Sequence, residues 1–173
     1  FSRLLFRSVS GGGVIRAAGG AKEGDTTTQN PGGGGRIAIT GFGANRFTGA
    51  LGRAGTLFVQ AQGAAGELTM DSTTLVVPDG TTRTYDAILR APYGASVVSN
   101  AGTLAFATNG WTVPAGLTLV QDGRLAGAGG GDLGWLGVAS NALVTHARGN
   151  TNGLRLRLSG ALTVAAGGLI DAS

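Results

Sequence analysis

Short apolar stretches that begin and end at glycine constrain this chain more than any other feature of its sequence. Residues 36–40 (RIAIT) and 56–62 (TLFVQAQ) are each preceded and followed by glycine, within a glycine-rich region that spans residues 30–63. A helix commonly needs about ten or more residues, so stretches of this length favour β-strands. Because the pattern recurs along the chain, it predicts many short strands separated by tight turns.

The composition supports an all-β fold. Glycine supplies 34 of the 173 residues, without the every-third-residue period that a collagen triple helix requires. Apolar residues make up 42% of the chain, a larger share than disordered linkers contain. Strong helix formers such as Lys, Glu and Met are scarce, whereas Thr, Val, Leu and Ala are plentiful. These proportions argue against long helices.

The charge pattern leaves an anionic partner open without requiring one. The net charge is +4, but only 13% of the residues are charged, so an acidic polysaccharide is a possible partner and nucleic acid is not a predicted one. The absence of cysteine excludes a disulfide scaffold. No apolar run approaches the roughly 18 residues of a membrane span, and residues 1–12 lack the pattern of a signal peptide. We expect the chain, which starts at Phe1, to be a processed piece or a segment of a longer protein.

Internal repetition points to a stacked architecture. Residues 117–127 align with residues 162–172, and residues 9–18 align with residues 164–173. The shared unit is a strand, a short glycine turn and a second apolar strand, which is how a β-solenoid turns a corner between its sheets. The second alignment matches the head of the chain with its tail, which suggests one unit of a longer array.

Alternation within single segments indicates which side chains face the interior. In residues 154–158, the pattern Leu-Arg-Leu-Arg-Leu predicts a strand with its leucines inward and with Arg155 and Arg157 outward. A continuous strand is also predicted over residues 84–90. The segments 41–55 and 127–134 are predicted to be loops because of their glycine content.

The glycine-bounded strands carry a resemblance to a known group of proteins. The run GGGGRIAI at 32–39, the following GTLFVQ at 55–60 and the closing LTVAAGGLIDAS at 162–173 resemble a repeat of very large bacterial surface proteins. This resemblance implies a right-handed parallel β-helix, similar to adhesins and autotransporter passengers. It also implies a structural or adhesive role, and it carries over no catalytic residue.

Candidate chemistry is sparse. β-Helix enzymes that act on polysaccharides use paired carboxylates as acid and base, and stacking of successive strands could bring Asp71 and Asp86 together. His146 is the only histidine, which leaves no basis for a histidine metal cluster or a catalytic triad. Asp25 and Asp132 lie close to glycines, where either calcium binding or ordinary turns would explain them. We therefore predict no enzyme, no cofactor and no catalytic or metal-binding residue.

Arginines and aromatic residues allow a binding role. Contacts with an anionic ligand are assigned to Arg3, Arg7, Arg155 and Arg157, although a solvated outer face that prevents lateral sheet aggregation would also explain them. The aromatic residues Trp111, Trp135, Tyr85 and Tyr93 could stack on sugars if they are exposed, and packing against loops is the alternative.

These observations lead to one fold and three ranked functions. We predict an all-β chain, a right-handed parallel β-helix (β-solenoid) with Gly-rich loops and uncapped ends, forming a single domain over residues 1–173. Apolar residues at the ends are predicted to mediate self-association: Leu4, Leu5, Phe6, Leu162, Val164, Leu169 and Ile170. The first function is a structural protein of the bacterial cell surface or extracellular matrix that stacks head to tail, or onto flanking repeats of the same chain, into a filament or stalk. The alternative is an adhesive, glycan-binding module, and a polysaccharide-degrading enzyme ranks last.

Overall fold

Strands make up most of the ordered structure. The computed structural model of the chain describes residues 8–15, 35–47, 50–51, 55–91 and 94–173. Within them, the helical structure is a single 3-10 turn, Ala128–Gly130. No helix in these ranges is long and apolar enough to cross a membrane. The predicted all-β fold is confirmed, and its strands stack as a parallel β-solenoid.

The first part of the chain forms two stacked circuits, or rungs, which we call the two-rung section. Its strands are β1 (Ser8–Gly11), β2 (Val14–Ile15), β3 (Gly35–Phe42), β4 (Ala44–Phe47), β5 (Ala50–Leu51) and β6 (Gly55–Ala61). β4 lies parallel to β1, β5 to β2 and β6 to β3. The predicted loop 41–55 therefore contains two short strands, because the second rung must repeat the strands of the first.

The chain reverses direction at the end of this section. β6 is joined by a tight turn to β7 (Glu67–Asp71), and the two strands pair antiparallel, with Thr56 opposite Met70. The carboxylate Oδ2 of Asp86 accepts a hydrogen bond from the backbone N of Gly66 at 2.7 Å. This contact fastens the turn to the next rung.

Residues 67–173 form a stack of about five rungs, which we call the five-rung stack. Its first face consists of β7, β10 (Ala87–Arg90), β13 (Gly110–Val113), β16 (Leu133–Val138) and β18 (Leu158–Val164). Its second face consists of β8 (Thr74–Val77), β11 (Ser96–Asn100), β14 (Leu117–Gln121), β17 (Leu143–Thr145) and β19 (Leu169–Ile170). Its third face consists of β9 (Thr82–Tyr85), β12 (Thr103–Phe106) and β15 (Arg124–Ala126). Hydrogen-bonded neighbours within this stack are parallel.

The core is a set of apolar columns inside the stack. On the second face, Val98, Leu119 and Val144 lie above one another and are fully buried. Stacked partners are 20 residues apart at the start of the stack (Leu68 and Ile88) and 26 apart at its end (Val144 and Ile170). Because the strands of each rung pack against those of the neighbouring rungs, non-local contacts hold the stack together.

One polar pair interrupts the apolar interior. Asn100 stacks on Gln121, and the amide Nδ2 of Asn100 donates to Oε1 of Gln121 and to the backbone O of Arg124, both at 3.0 Å. Both side chains are buried. A buried amide pair of this kind favours one stacking register, because a shifted register would leave more polar atoms unsatisfied.

The stack also corrects three details of the sequence interpretation. The predicted continuous strand 84–90 is two strands, because the chain turns a corner at Asp86. The predicted loop 127–134 leads directly into β16, which the glycines of that segment had concealed. The alignment of residues 117–127 with 162–172 compares two different corners: β14 to β15 joins the second and third faces, whereas β18 to β19 joins the first and second.

Candidate functional site

The last rung exposes residues that occupy core positions in the rungs below. Leu162 stacks on Leu136, and Val164 stacks on Val138. Leu136 and Val138 are 0% and 2% exposed, whereas Leu162 and Val164 are 46% and 44% exposed. Within the described residues, no strand lies on the outer side of β18. The apolar interior of the solenoid therefore reaches the solvent at this end.

The outermost described strand of the first face, β18, is exposed along most of its length. The strand Leu158–Val164 contains no charged residue and no proline, and six of its seven residues are exposed. Charges, prolines and bulges are the usual means by which proteins prevent another strand from adding to an edge. β18 has neither of the first two, and its pairing with β16 is irregular only between Leu158 and Ala161. Residues 161–164 therefore form a regular edge without charge or proline.

The other predicted end residues have different positions. Ile170 stacks on Val144 in an inward column and is half-buried, whereas Leu169 stacks on Leu143 and is exposed on the outer surface of the second face. Leu4, Leu5 and Phe6 lie outside the described residues, as do Arg3 and Arg7. Their assignment stays a prediction.

The first end of the five-rung stack is covered along its first face by β6. Phe58 of β6 meets Tyr85 edge to face, with ring centroids 6.1 Å apart. Burial raises the pKa of the Tyr85 hydroxyl, and the nearby positive charge of Arg83 acts in the opposite direction. A cavity of about 410 Å³ between these groups is lined by Leu68 and Gln60 as well. Arg83 occupies the register position of buried Leu104 but is exposed.

The predicted alternation at 154–158 is confirmed in its side-chain directions. Leu154, Leu156 and Leu158 pack against the core, while Arg155 and Arg157 are exposed. The predicted strand is wrong for residues 154–157, because strand pairing begins only at Leu158. The two arginines lie on the outer surface, where they could contact an anionic ligand.

The carboxylates do not form an acid–base pair. Asp86 lies beside Gly66, with its backbone N donating to the Gly66 carbonyl at 2.7 Å, whereas Asp71 follows Met70 at the other end of β7. Five residues of strand separate the two positions, about 16 Å. The expectation that stacking could bring Asp71 and Asp86 together is wrong, because the register of β7 and β10 keeps them at opposite strand ends.

Metal ligands are not clustered either. Asp132 forms an ion pair with Arg124 at 3.2 Å, and Asp25 lies outside the described residues. Among the described residues there is no group of three or more His, Asp or Glu side chains that could hold a metal ion.

His146 belongs to a polar corner between the last two rungs. Its Nδ1 lies 2.9 Å from the backbone O of Ala147. Hydrogen bonding to the carbonyl groups of Ala147 and Ala172 raises the pKa of His146, and the charges of Asp122 and Asp171 add to that effect. Asp122 accepts hydrogen bonds from the backbone N of Ala147 at 3.0 Å and from Asn150 at 2.6 Å.

The aromatic residues divide into structural and accessible ones. Trp111 is buried, stacks on Phe106 with centroids 4.8 Å apart, and donates through Nε1 to the Ile88 carbonyl at 3.2 Å. Tyr85 is buried as described above, and Tyr93 lies outside the described residues. Trp135 is 46% exposed on the outer surface of the first face.

A shallow groove of about 480 Å³ lies beside Trp135. Gly137 forms part of its lining, between Thr112 on the preceding rung and Thr163 on the following one. No sequence motif marks this groove, because Gly110, Trp135 and the two threonines become neighbours only through stacking.

Comparisons of the chain with models of protein families, with curated proteins and with solved structures found no match. Two surface features are candidates for a functional role: the unpaired edge of the last rung and the groove beside Trp135.

Proposed function

We propose that this protein is a structural component of the bacterial cell surface or extracellular matrix, and that its copies stack head to tail into a filament or stalk. The observation that carries the proposal is the exposure of Leu162 and Val164 at positions that are buried in every inner rung with the same register. β16 pairs with β13 on one side and with β18 on the other, whereas β18 pairs with β16 alone among the described residues.

The other half of the contact is assigned to the outer edge of β3. In the described part of the chain, β3 pairs with β6 on one side only. Ile37 and Ile39 of β3 are half-buried and pack against the small cluster formed by Leu57, Val59 and Ala91. Ala38 is the register partner of Phe58, so it lies on the other face of β3, the face that covers the core columns at the β6–β7 seam. Ala38 would lie over Leu162 and Val164 when a second copy stacks on the last rung in the same way.

The molecule already contains a seam of the required kind. β3 and β6 run parallel to each other and antiparallel to β7, so β3 of one copy would approach β18 of the next in the antiparallel sense. The β6–β7 pair shows that an antiparallel seam is compatible with this solenoid. Different surfaces meet in such a contact, so it does not close on itself and generates a filament.

The energetic gain is modest for each contact and accumulates with the ladder. Completing the burial of two half-exposed side chains contributes about 2 kcal/mol. Backbone hydrogen bonds along the seven residues of β18 add to this, at about 0.5–1.5 kcal/mol each. Assembly is therefore expected to depend on protein concentration.

Negative-stain electron microscopy across a concentration series tests the proposal. We expect long filaments of uniform width from the wild-type chain, and dispersed particles from the double variant Leu162→Lys, Val164→Lys. Val76→Lys is the matched control, because Val76 is also an exposed valine but lies on the outer second face. Dispersed wild-type particles at every concentration, or filaments from the double variant, would overturn the proposal.

A second candidate function, an adhesive or glycan-binding module of a larger surface protein, is favoured by one specific observation. The only exposed tryptophan among the described residues lies beside a groove on the outer surface. The outward arginines Arg155 and Arg157 are compatible with an anionic polysaccharide as ligand. An enzymatic function is the weakest of the three, since Asp71 and Asp86 are separated.

A further inference from the structure

The indole of Trp135 lies flat on the sheet, over Gly110 of the preceding rung. The two residues are register partners in β16 and β13. A methyl group added at Gly110 would overlap Cε2, Nε1 and Cδ2 of the indole at the same time. Cδ2 and Cε2 form the bond shared by the two rings, and a point that is close to both of them and to Nε1 lies over the ring plane. The ring therefore covers the glycine with its face and not with its edge. Its opposite face points to the solvent.

The backbone that carries Trp135 is fixed to the rung below. The carbonyl O of Asn109 accepts hydrogen bonds from the backbone N of Gly134 at 3.0 Å and of Trp135 at 3.2 Å. The side-chain Oδ1 of Asn109 accepts a further hydrogen bond from Gly134 N at 3.1 Å. A platform held in this way loses little conformational freedom when a ligand stacks on it.

The groove beside the platform has the chemistry of a neutral sugar site. Thr112, Ser140 and Thr163 supply hydroxyl groups, and none of the residues that line the groove is charged. Gly137 leaves a gap between the two threonines, because a methyl group there would come within 2.8 Å of the Thr112 hydroxyl. A flat apolar surface bordered by hydroxyls matches a pyranose ring, which has one face of C–H groups and an equatorial rim of hydroxyls.

We infer that the groove beside Trp135 binds a neutral pyranose unit of a polysaccharide, with the apolar face of the sugar on the indole and its hydroxyls toward Thr112, Ser140 and Thr163. The absence of charge in the lining distinguishes this ligand from the acidic polysaccharide that Arg155 and Arg157 would suit. Trp135 points outward, whereas Leu162 and Val164 continue inward columns, so the inference does not depend on filament formation.

Tryptophan fluorescence provides the test, because Trp111 is buried and a ligand on the outer surface affects mainly Trp135. The full chain is titrated with cellohexaose, mannohexaose and xylohexaose as neutral probes and with hexagalacturonate as the acidic probe. We expect a saturable change with at least one neutral probe. Isothermal titration calorimetry then measures the affinity of the variants, since Trp135→Ala removes the fluorescent reporter.

The variants separate stacking from general effects. Trp135→Ala should weaken binding about tenfold or more, and Trp135→Tyr should restore part of the affinity because it retains an aromatic face. Gly110→Ala keeps the tryptophan but tilts it, and should weaken binding by a comparable factor. Leu169→Ala, an exposed apolar residue on another face, should have no effect.

Three results would overturn the inference: no binding of any neutral probe up to its solubility limit, unchanged affinity in Trp135→Ala, or binding of hexagalacturonate alone with loss in Arg155→Gln, Arg157→Gln. Circular dichroism and melting temperature confirm that each variant is folded. Because filament formation is scored separately by microscopy, failure of the sugar site and failure of stacking are distinguishable.

Discussion

The two ends of the five-rung stack are finished in different ways. At the first end, the chain has reversed direction, β6 pairs with β7, and Phe58 covers Tyr85. At the last end, β18 has no described strand beyond it, and Leu162 and Val164 are nearly half exposed. The same columns of core residues therefore end under a covering strand on one side and in solvent on the other.

This difference teaches that a solenoid does not need a helical cap to stop. An antiparallel seam satisfies the backbone of the edge strand and covers its inward side chains at once. The β6–β7 pair is an antiparallel seam of this kind within one molecule. We interpret the bare edge of β18 as the position where a second copy supplies the same solution.

The largest expected effect on stability comes from comparing the same substitution, leucine to alanine, at two stacked positions of one core column. Leu136→Ala creates a cavity in a fully buried position and should lower the free energy of unfolding by about 2–5 kcal/mol. Leu162→Ala, one rung higher, should lower it by less than about 1 kcal/mol in the unassembled chain. Urea unfolding at low protein concentration measures both. Equal losses would break the comparison, because Leu162 would then be part of a closed core.

A smaller effect is expected at the turn that makes the covered end. Asp86→Ala removes the acceptor of the Gly66 backbone N and should cost about 1–3 kcal/mol, because that donor is left partly buried. Asp79→Ala is the matched control: Asp79 accepts from the Gly80 N in an exposed turn, and its loss should cost about 0.5 kcal/mol or less. Hydrogen exchange should show faster opening of β6 in the first variant alone. Unaltered protection of β6 would argue against a role for Asp86 in the seam.

The smallest expected effect is a pH dependence of the last rung. The pKa of His146 is raised in the folded state by hydrogen bonds to the carbonyls of Ala147 and Ala172, so the protonated form is favoured by folding. Its stabilisation is fully present below the ordinary histidine pKa of about 6.5 and is lost as the pH rises through the raised value. The melting temperature should therefore fall slightly between about pH 5.5 and pH 8. His146→Gln should remove this slope, and a persistent slope would assign it to another group.

The opposite sign applies to Asp171 in the same corner. Hydrogen bonds from the backbone and the side chain of Ser173 lower the pKa of Asp171, and the charge of His146 adds to them. Its contribution is present above the ordinary carboxyl pKa of about 3.9 and is lost as the pH falls through the lowered value. Together, the two groups make the last rung most stable against unfolding at mildly acidic pH.

The sequence predicted side-chain burial where local alternation determines it. The leucines of 154–158 pack on the core and the arginines between them are exposed, because successive residues of an extended backbone face opposite sides, although the strand itself begins only at Leu158. The corners were less visible. The turn at Asp86 contains neither glycine nor proline. It lies where the chain passes from β9 on the third face to β10 on the first face, which starts the next rung.

The candidate sites could not be derived from local pattern. β16 was not predicted, because Gly134 at the end of the predicted loop and Gly137 just after it are residue types typical of turns. In the structure, Asn109 and Thr112 of the preceding rung occupy the space that side chains at these two positions would need. The sequence alone does not distinguish Trp111 from Trp135, because the stacking of the rungs determines that the first is buried and the second exposed. The antiparallel seam was not visible for the same reason, since strand direction is a property of the pairing.

Site-directed cross-linking tests the central claim most directly, because the chain contains no cysteine of its own. Ala38→Cys and Val164→Cys are prepared as separate proteins, and each is treated with a short bis-maleimide alone and in an equimolar mixture. The account predicts efficient cross-linking in the mixture and little in either protein alone, because β3 of one copy meets β18 of another. Cross-linking of Val164→Cys with itself would indicate a closed tail-to-tail dimer. That result, or equal yields in all three samples, would contradict head-to-tail stacking.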